Sequence, residues 1–542
     1  MADIVIVNPR FNTSFWGLEK CMGLLGKRAN LPVACLPLLA ALVPKHHDVT
    51  IVDENVEDLD FDRLARADMV CVTGMTVQGT RMREILEELR ARGTFTVVGG
   101  PLATVEQEEI EDLADVIFIG EADVTWPQFI KEWEAGRHAH RYEQREKTDM
   151  TTLPLPRLDL LKSKHYMFGS MQISRGCPFT CEFCDIIVTF GRKPRLKSAA
   201  QVLAELDAYY REGISIVFVV DDNLIGNKKA IKPMLREIAK WQEDHAYALT
   251  LFTEASLDLA EDDELMSLMG RAGFQSVFIG IESPDEASLL ETKKVQNVRE
   301  RAGTLIERVK RIQDRGLDVW CGMIVGFDND KPKAFDVLPG FLAEARIANA
   351  LIGLLHAIPT TPLYDRLKAE GRLNSDKGNE TYGTNVIPLG MTPMMLREGL
   401  IKVTENCYSA DAYFQRLDAL YIEGGFKYAA HQLDYWRSHR LAWVQSCMKD
   451  YVTFLILASR LARLIDDKEL SRRYRAQLLR AFQTRMFEPQ LLVTYAVKTA
   501  MHYHYDAIAK SLTASAAGGP IPESVRSFSR ARSRVTSEGV AT

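Results

Sequence analysis

Cys177, Cys181 and Cys184 fall at C-x3-C-x2-C spacing in the stretch Ser174-Arg175-Gly176-Cys177-Pro178-Phe179-Thr180-Cys181-Glu182-Phe183-Cys184-Asp185. Thiolates packed that closely in one loop normally serve a metal. A four-iron cluster needs four ligands, so three cysteines would leave one iron open to a group that the protein does not supply. A zinc knuckle is the other use of such crowding.

Carboxylates and amides collect further along the chain, each group directly after an apolar run. They are Val219-Val220-Asp221-Asp222-Asn223, Thr253-Glu254-Ala255 and Gly280-Ile281-Glu282-Ser283. Asp221, Asp222, Asn223, Glu254 and Glu282 can accept from an ammonium or a hydroxyl, and they can equally serve as helix caps or salt-bridge partners. Before the cysteines, other apolar runs end in Asn8-Pro9-Arg10, Asp53-Glu54-Asn55, Thr73-Gly74-Met75-Thr76, Gly99-Gly100-Pro101 and Gly120-Glu121. Small residues there would let a large flat ligand approach backbone, with Asn8, Thr73, Gly74, Gly99, Gly100, Gly120 and Glu121 as the candidate contacts.

The elements that must position these groups read as strands alternating with helices. Ile4–Val7, Val49–Val52, Met69–Thr73, Phe95–Val98 and Val116–Ile119 are short β-rich runs separated by helix-compatible stretches, which predicts a doubly wound parallel sheet over 1–145. Residues 146–164 continue a charged, proline-punctuated stretch and read as a linker. Over 165–388 the alternation resumes with the strand carrying Gln172 and with Ser215–Val220, Leu249–Thr253, Ser276–Gly280, Val319–Val325 and Leu351–Ala357. Six such units predict an open, partial (β/α)6 barrel, short of the eight of a closed one. From 389 to 513 helical periodicity takes over, and most of its aromatics (Trp436, Trp443, Tyr451, Phe454) are expected in a core. For Val452–Ile465 a surface-lying helix is the alternative to a core helix, since arginines interrupt it too often for a membrane span. Residues 514–542 read as a disordered tail.

Composition narrows the function classes. A chain of 542 residues with 46% hydrophobic and 26% charged residues is ordinary for a soluble globular protein. A formal net charge of −6 gives no reason to expect a nucleic-acid partner. Six of the nine cysteines are scattered, and no signal peptide opens the chain, which predicts a reducing cytoplasmic setting.

The cysteine loop at the start of a partial barrel, with Phe183 before the last cysteine, resembles the radical S-adenosylmethionine superfamily. The resemblance implies a [4Fe-4S] cluster on Cys177, Cys181 and Cys184 whose open iron binds S-adenosylmethionine, with Asp221, Asp222, Asn223, Glu254 and Glu282 around that cofactor. Val98-Gly99-Gly100-Pro101 and Ile119-Gly120-Glu121 resemble the cobalamin-binding domain that precedes many of these enzymes. No Asp-x-His-x-x-Gly signature occurs, so His46, His47, His138 and His140 are not expected on cobalt. Within the superfamily, Cys181-Glu182-Phe183-Cys184-Asp185-Ile186, Gly191-Arg192-Lys193-Pro194-Arg195-Leu196-Lys197, Val220-Asp221-Asp222-Asn223-Leu224-Ile225-Gly226-Asn227 and Gly280-Ile281-Glu282-Ser283-Pro284 look closest to hopanoid C-2 methylases. That likeness implies a methyltransferase acting on an unactivated carbon of a polycyclic lipid, a reductant such as flavodoxin or ferredoxin, and peripheral membrane contact. A cobalamin-dependent radical cyclase would use the same parts without methyl transfer, and a cobalamin or redox sensor would use them without catalysis.

Overall fold

The computed structural model describes residues 1–298, 303–374, 382–428 and 430–516. The tail expected over 514–542 therefore lies, from residue 517 onward, outside the described residues.

Strands β1 (Asp3–Asn8), β2 (Asp48–Asp53), β3 (Met69–Thr73), β4 (Thr96–Gly99), β5 (Val116–Gly120) and β6 (Arg141–Gln144) form one sheet in the order β2-β1-β3-β4-β5-β6. Every pairing is parallel. The central strands are apolar throughout because both faces are covered. Ile4, Ile6, Met69 and Cys71 join the main core on one side, whereas Val5, Val7, Val70 and Val72 pack on the other against Met82, Ile85, Leu86 and Leu89 of the helix Gly79–Ala91. β6 adds an edge strand to the five apolar runs expected over 1–145. Only Tyr142 and Gln144 are buried in Arg-Tyr-Glu-Gln, so this edge strand has no hydrophobic run to announce it.

β7 (Gly169–Met171) opens the second sheet, and the short pair β8 (Ser174–Arg175) and β9 (Arg195–Leu196) brackets the cysteine loop in antiparallel register. β10 (Ile216–Val219), β11 (Thr250–Glu254), β12 (Phe274–Glu282), β13 (Asp318–Val325) and β14 (Ala350–Leu354) complete a six-stranded parallel sheet in sequential order from β7. Its first and last strands do not pair, which is the open barrel expected. β14 is shorter than the strand expected over Leu351–Ala357 and ends before His356 and Ala357.

The remainder is helical, and it closes back on both sheets. The long helix Pro489–Ala516 brings Tyr505 against Phe15, with ring centroids 4.5 Å apart and planes 10° apart. From the same helix the buried Lys498 places Nζ 2.7 Å from Asp318 Oδ2 and 2.6 Å from Asn349 Oδ1. Trp16, in the loop after β1, lies against Phe218 and Phe278 of the barrel at 6.3 and 4.7 Å between centroids. The main core consequently runs without a break through all three regions. One expectation for the helical region fails, since Trp443 is 46% exposed whereas Phe454 is buried.

Candidate functional site

The cysteine loop leaves the barrel after β7 and is pinched at its base by β8 and β9. Gly176 has φ +97°, and a Cβ there would come within 2.9 Å of the Gly191 carbonyl oxygen, so only glycine lets the two ends of the loop cross. The Cys177 N–H closes the same crossing at 3.2 Å from that oxygen. Farther along, the Glu182 N–H donates to the Thr292 carbonyl at 2.9 Å and the Leu363 N–H to the Glu182 carbonyl at 3.0 Å. Phe183 packs toward Phe327, with Lys294 Nζ 5.8 Å from the centre of its ring.

Around the sulfurs stand donors and a cation. Asn223 Nδ2 lies 3.8 Å from Cys177 Sγ, and Gln296 Nε2 lies 3.5 Å from Cys181 Sγ. Lys294 is close enough to feel both Cys181 and Cys184. Burial pushes the Cys184 thiol up to about 12, so it ionises only with positive charge to compensate. Three sulfurs beside amide donors and one ammonium suit an iron–sulfur cluster whose thiolates need neutralising.

The carboxylates at the barrel's strand ends divide the work. Asp221, a candidate for cofactor binding, has a different task. It accepts from the Ile173 N–H at 2.7 Å, the Ser174 N–H at 2.8 Å and the Ser174 hydroxyl at 2.6 Å, and so holds the start of the cysteine loop. Asp222 accepts from the Gly176 N–H at 2.7 Å, and burial pushes its carboxyl up to about 7. Asn223 bridges Cys177 to Ser256, whose hydroxyl accepts at 3.0 Å and whose N–H donates back at 3.2 Å. Glu254 keeps part of its surface open. Burial, together with the charges of Asp222, Asp221 and Glu282, pushes its carboxyl up to about 8. Glu282, at φ +66°, turns back to accept from Lys294 at 2.7 Å. Burial alone would lower Lys294, but Glu282 and Cys181 hold it protonated. Lys294 and Gln296 were missed by sequence reasoning, because they sit in a loop with no motif and no strand end.

Below these groups the barrel is aromatic. Trp16, Phe168, Phe218, Phe252 and Trp320 line a small, mainly apolar cavity that Asn30 and Tyr505 also border.

At the carboxyl edge of the N-terminal sheet the residues are small. Gly99, Gly100 and Gly120 are partly exposed and Met75 is exposed beside them. A Cβ at Gly100, which has φ +95°, would reach within 2.6 Å of Thr73 Oγ1 and 3.1 Å of the Gly74 nitrogen, so the edge is kept flat. Such an edge fits a large planar macrocycle better than a small polar ligand. Asn8 and Glu121 are occupied elsewhere. Asn8 is buried, donates to Asp53 at 3.0 Å and accepts from Gln78 at 3.1 Å. Glu121 binds Arg175 and Arg195 at 2.9 Å each, and Asp123 also pairs with Arg175. This buried cluster joins the end of β5 to the base of the cysteine loop, so the carboxyl edge of the first sheet faces the barrel. His46, His47, His138 and His140 lie at the opposite edge, before β2 and β6. His46 and His47 both contact Glu134. His47 Nδ1 accepts from the Ala2 N–H at 3.1 Å, which puts its ring proton on the nitrogen facing Glu134 and leaves no lone pair for a metal.

Comparison with known proteins agrees with this layout. Residues 171–338 match the radical SAM superfamily, residues 30–130 the B12 binding domain, and residues 361–517 a domain of unknown function, DUF4070. The chain is 43% identical over 389 residues to the uncharacterised methyltransferase sll1242 of Synechocystis, spanning 71% of this chain and 72% of that one. It is 33% identical over 421 residues to the hopanoid C-2 methylase of Rhodopseudomonas palustris, spanning 77% and 78%. The chain belongs to the B12-binding radical S-adenosylmethionine methyltransferases. The fold is shared with the cobalamin-dependent radical enzyme OxsB, solved with aqua-cobalamin and S-adenosylmethionine, at a TM-score of 0.59 and 13% identity over 96% of this chain and 80% of that one. Membership in this methyltransferase family brings a [4Fe-4S] cluster, S-adenosylmethionine and cobalamin as its cofactors, and it sets aside the sensor reading.

Proposed function

We propose that this methyltransferase adds a methyl group to an unactivated carbon of a hopanoid-like polycyclic lipid. The observation that carries the reading is the pairing of a charged ring at the barrel mouth with an aromatic interior beneath it. Glu254, Glu282 and Lys294 can hold a small zwitterionic cofactor beside the cysteines, while Trp16, Phe218, Phe252 and Trp320 offer only apolar surface. A hydrocarbon substrate would find mainly aromatic surface there, with Asn30 and Tyr505 as the polar residues of the wall, and the rings would exclude water from reactive species. The likeness to the hopanoid C-2 methylase supports the same substrate class.

In this reading Cys177, Cys181 and Cys184 ligate the cluster, and Lys294 offsets the charge of their thiolates. Asn223 and Gln296 donate to the sulfurs, and Asp221 and Asp222 hold the loop. Glu254 carries a proton near neutrality and can donate it or accept an ammonium, while Glu282 pairs with Lys294. Thr73, Gly74, Gly99 and Gly100 provide the flat seat for cobalamin. When bound, the three cofactors supply one-electron cleavage of S-adenosylmethionine and a methyl donor for carbon that has no acidic proton. The electron comes from a small reductant such as flavodoxin or ferredoxin in the cytoplasm, and a membrane-dissolved substrate requires peripheral contact with a bilayer.

The test compares the polycyclic lipids of cells with and without the chain and assays the reconstituted enzyme for S-adenosylhomocysteine formed in step with a methylated product. An unchanged hopanoid profile, together with no product from hopanoids in vitro, would sink the substrate assignment.

A further inference from the structure

The helix Arg440–Arg463 has two apolar faces and only one is covered. Phe454, Leu457 and Leu461 are buried, and Phe454 stacks on Phe482 of the helix Lys468–Arg485 with centroids 6.0 Å apart. On the other side Leu441, Val444, Met448, Val452 and Leu455 are all exposed. Their spacing places them in a single stripe about 21 Å long. At its flank the Tyr451 hydroxyl donates to the Met486 carbonyl, which sets Phe487, 85% exposed, beside the stripe. Isolated apolar residues on a surface need no explanation, but a continuous stripe of five does.

The surroundings of the stripe are basic. Arg440, Lys449 and Arg463 are exposed on the same helix. Residues 430–485 contain eleven Arg and Lys against five Asp and Glu, a net of +6 in a chain whose formal charge is −6. Arg473, Arg480 and Arg485 pair with Asp411, Asp418, Glu423 and Glu488 outside that stretch, whereas Arg440, Lys449, Arg460 and Arg463 of the helix itself, against Asp450 alone, keep the excess of positive charge beside the stripe.

We propose that this face docks on an anionic lipid bilayer. The helix would lie in the plane of the interface, with its stripe among the upper acyl chains and its Lys and Arg side chains reaching the phosphates. A second copy of the chain is a poorer occupant, since a twofold contact would set two positively charged regions against each other. No described helix is long and apolar enough to cross a membrane. The surface stands independently of the lipid substrate proposed above, although docking would bring such a substrate within reach.

The experiment sediments the full-length chain with hopanoid-free vesicles, either of phosphatidylcholine alone or with phosphatidylglycerol added. The chain is expected to pellet with the anionic vesicles and to be released by high salt. The double variant Met448→Glu with Leu455→Glu should cut partition about tenfold or more, because it removes two buried apolar side chains and adds two repelled charges. Both residues are exposed, so the variant should keep the circular dichroism and melting of the parent. No binding to anionic vesicles, or equal binding by the variant, overturns the proposal. So does a dimer in light scattering that the variant converts to monomer, which would assign the face to a second copy. Vesicle binding without methylation of any polycyclic lipid would overturn the substrate reading and leave the docking surface standing; methylation of a detergent-dissolved lipid without vesicle binding would do the reverse.

Discussion

Two parallel six-stranded sheets present their carboxyl edges within one molecule, and the edges differ in kind. That of the N-terminal sheet is made of Thr73, Gly74, Gly99, Gly100 and Gly120, small residues kept flat by close backbone contacts. That of the barrel carries Asp221, Asp222, Glu254 and Glu282, with Lys294 reaching in from a later loop. A flat edge suits a large planar cofactor that makes many weak contacts. A charged ring suits a small zwitterion held by a few strong ones. In the proposed function the same strand-end position serves two recognition problems, and the Glu121–Arg175 contact ties the two edges together.

The comparison breaks most completely at the cysteines. Cys181→Ser should abolish cleavage of S-adenosylmethionine and lower bound iron, while cobalamin still copurifies with the first sheet; loss of both cofactors would mean that the edges are not separable. The converse variant, Gly100→Val, forces a side chain into the left-handed region and against Thr73. It should reduce cobalamin content at least tenfold and stability by about 1–3 kcal/mol, with iron content unchanged. Absorbance of the purified chain and iron analysis report both. Lys294→Met leaves Glu282 buried without its partner, which should cost about 3 kcal/mol in stability and slow formation of 5'-deoxyadenosine. Denaturant unfolding and product assay separate the two effects.

Smaller effects sharpen the link and the charge. Glu121→Gln should weaken the contact to Arg175 and Arg195 by about 1–2 kcal/mol, lowering methylated product more than 5'-deoxyadenosine, because only the former needs both edges in register. The smallest is a pH slope in the chain stripped of its cofactors. The carboxyl of Glu254 is raised by burial to about 8, so the folded state binds a proton that the unfolded state releases above its ordinary range near 4.3. Stability from this group is complete below that value and is lost as pH rises toward 8. Glu254→Gln should flatten the corresponding fall in melting temperature between pH 5 and 8.

Much of this layout could be read from the chain. The order of the three regions followed from apolar runs of four to seven residues alternating with helical periodicity, and β3 and β13 stand close to where those runs end. β6 was lost because Arg141 and Glu143 point outward and only two side chains are buried. Strand ends marked which carboxylates collect, but not which are free. Asp221 and Asp222 are neighbours with the same chemistry, yet the first is spent on Ile173 and Ser174 and the second on Gly176. Nothing at Arg175 or Glu121 signalled that they would meet, since 54 residues separate them.

The helical region teaches the same lesson from the opposite direction. Periodicity predicts a helical run over His439–Ile465, but two apolar faces on one helix have equal claims to a core. Packing on Phe482 and on the helix Pro489–Ala516 buried one of them and left Leu441 to Leu455 outside. By itself the sequence determined what depends on neighbours along the chain, namely the cysteine spacing, the strand and helix alternation, and the glycines at strand ends. Only the tertiary structure decided what depends on distant partners: the return of Lys294 to Glu282, the bond between the two carboxyl edges, and the apolar face that stayed in solvent. Local periods are written in adjacent residues, whereas desolvation and charge pairing are set by whichever segment arrives from elsewhere.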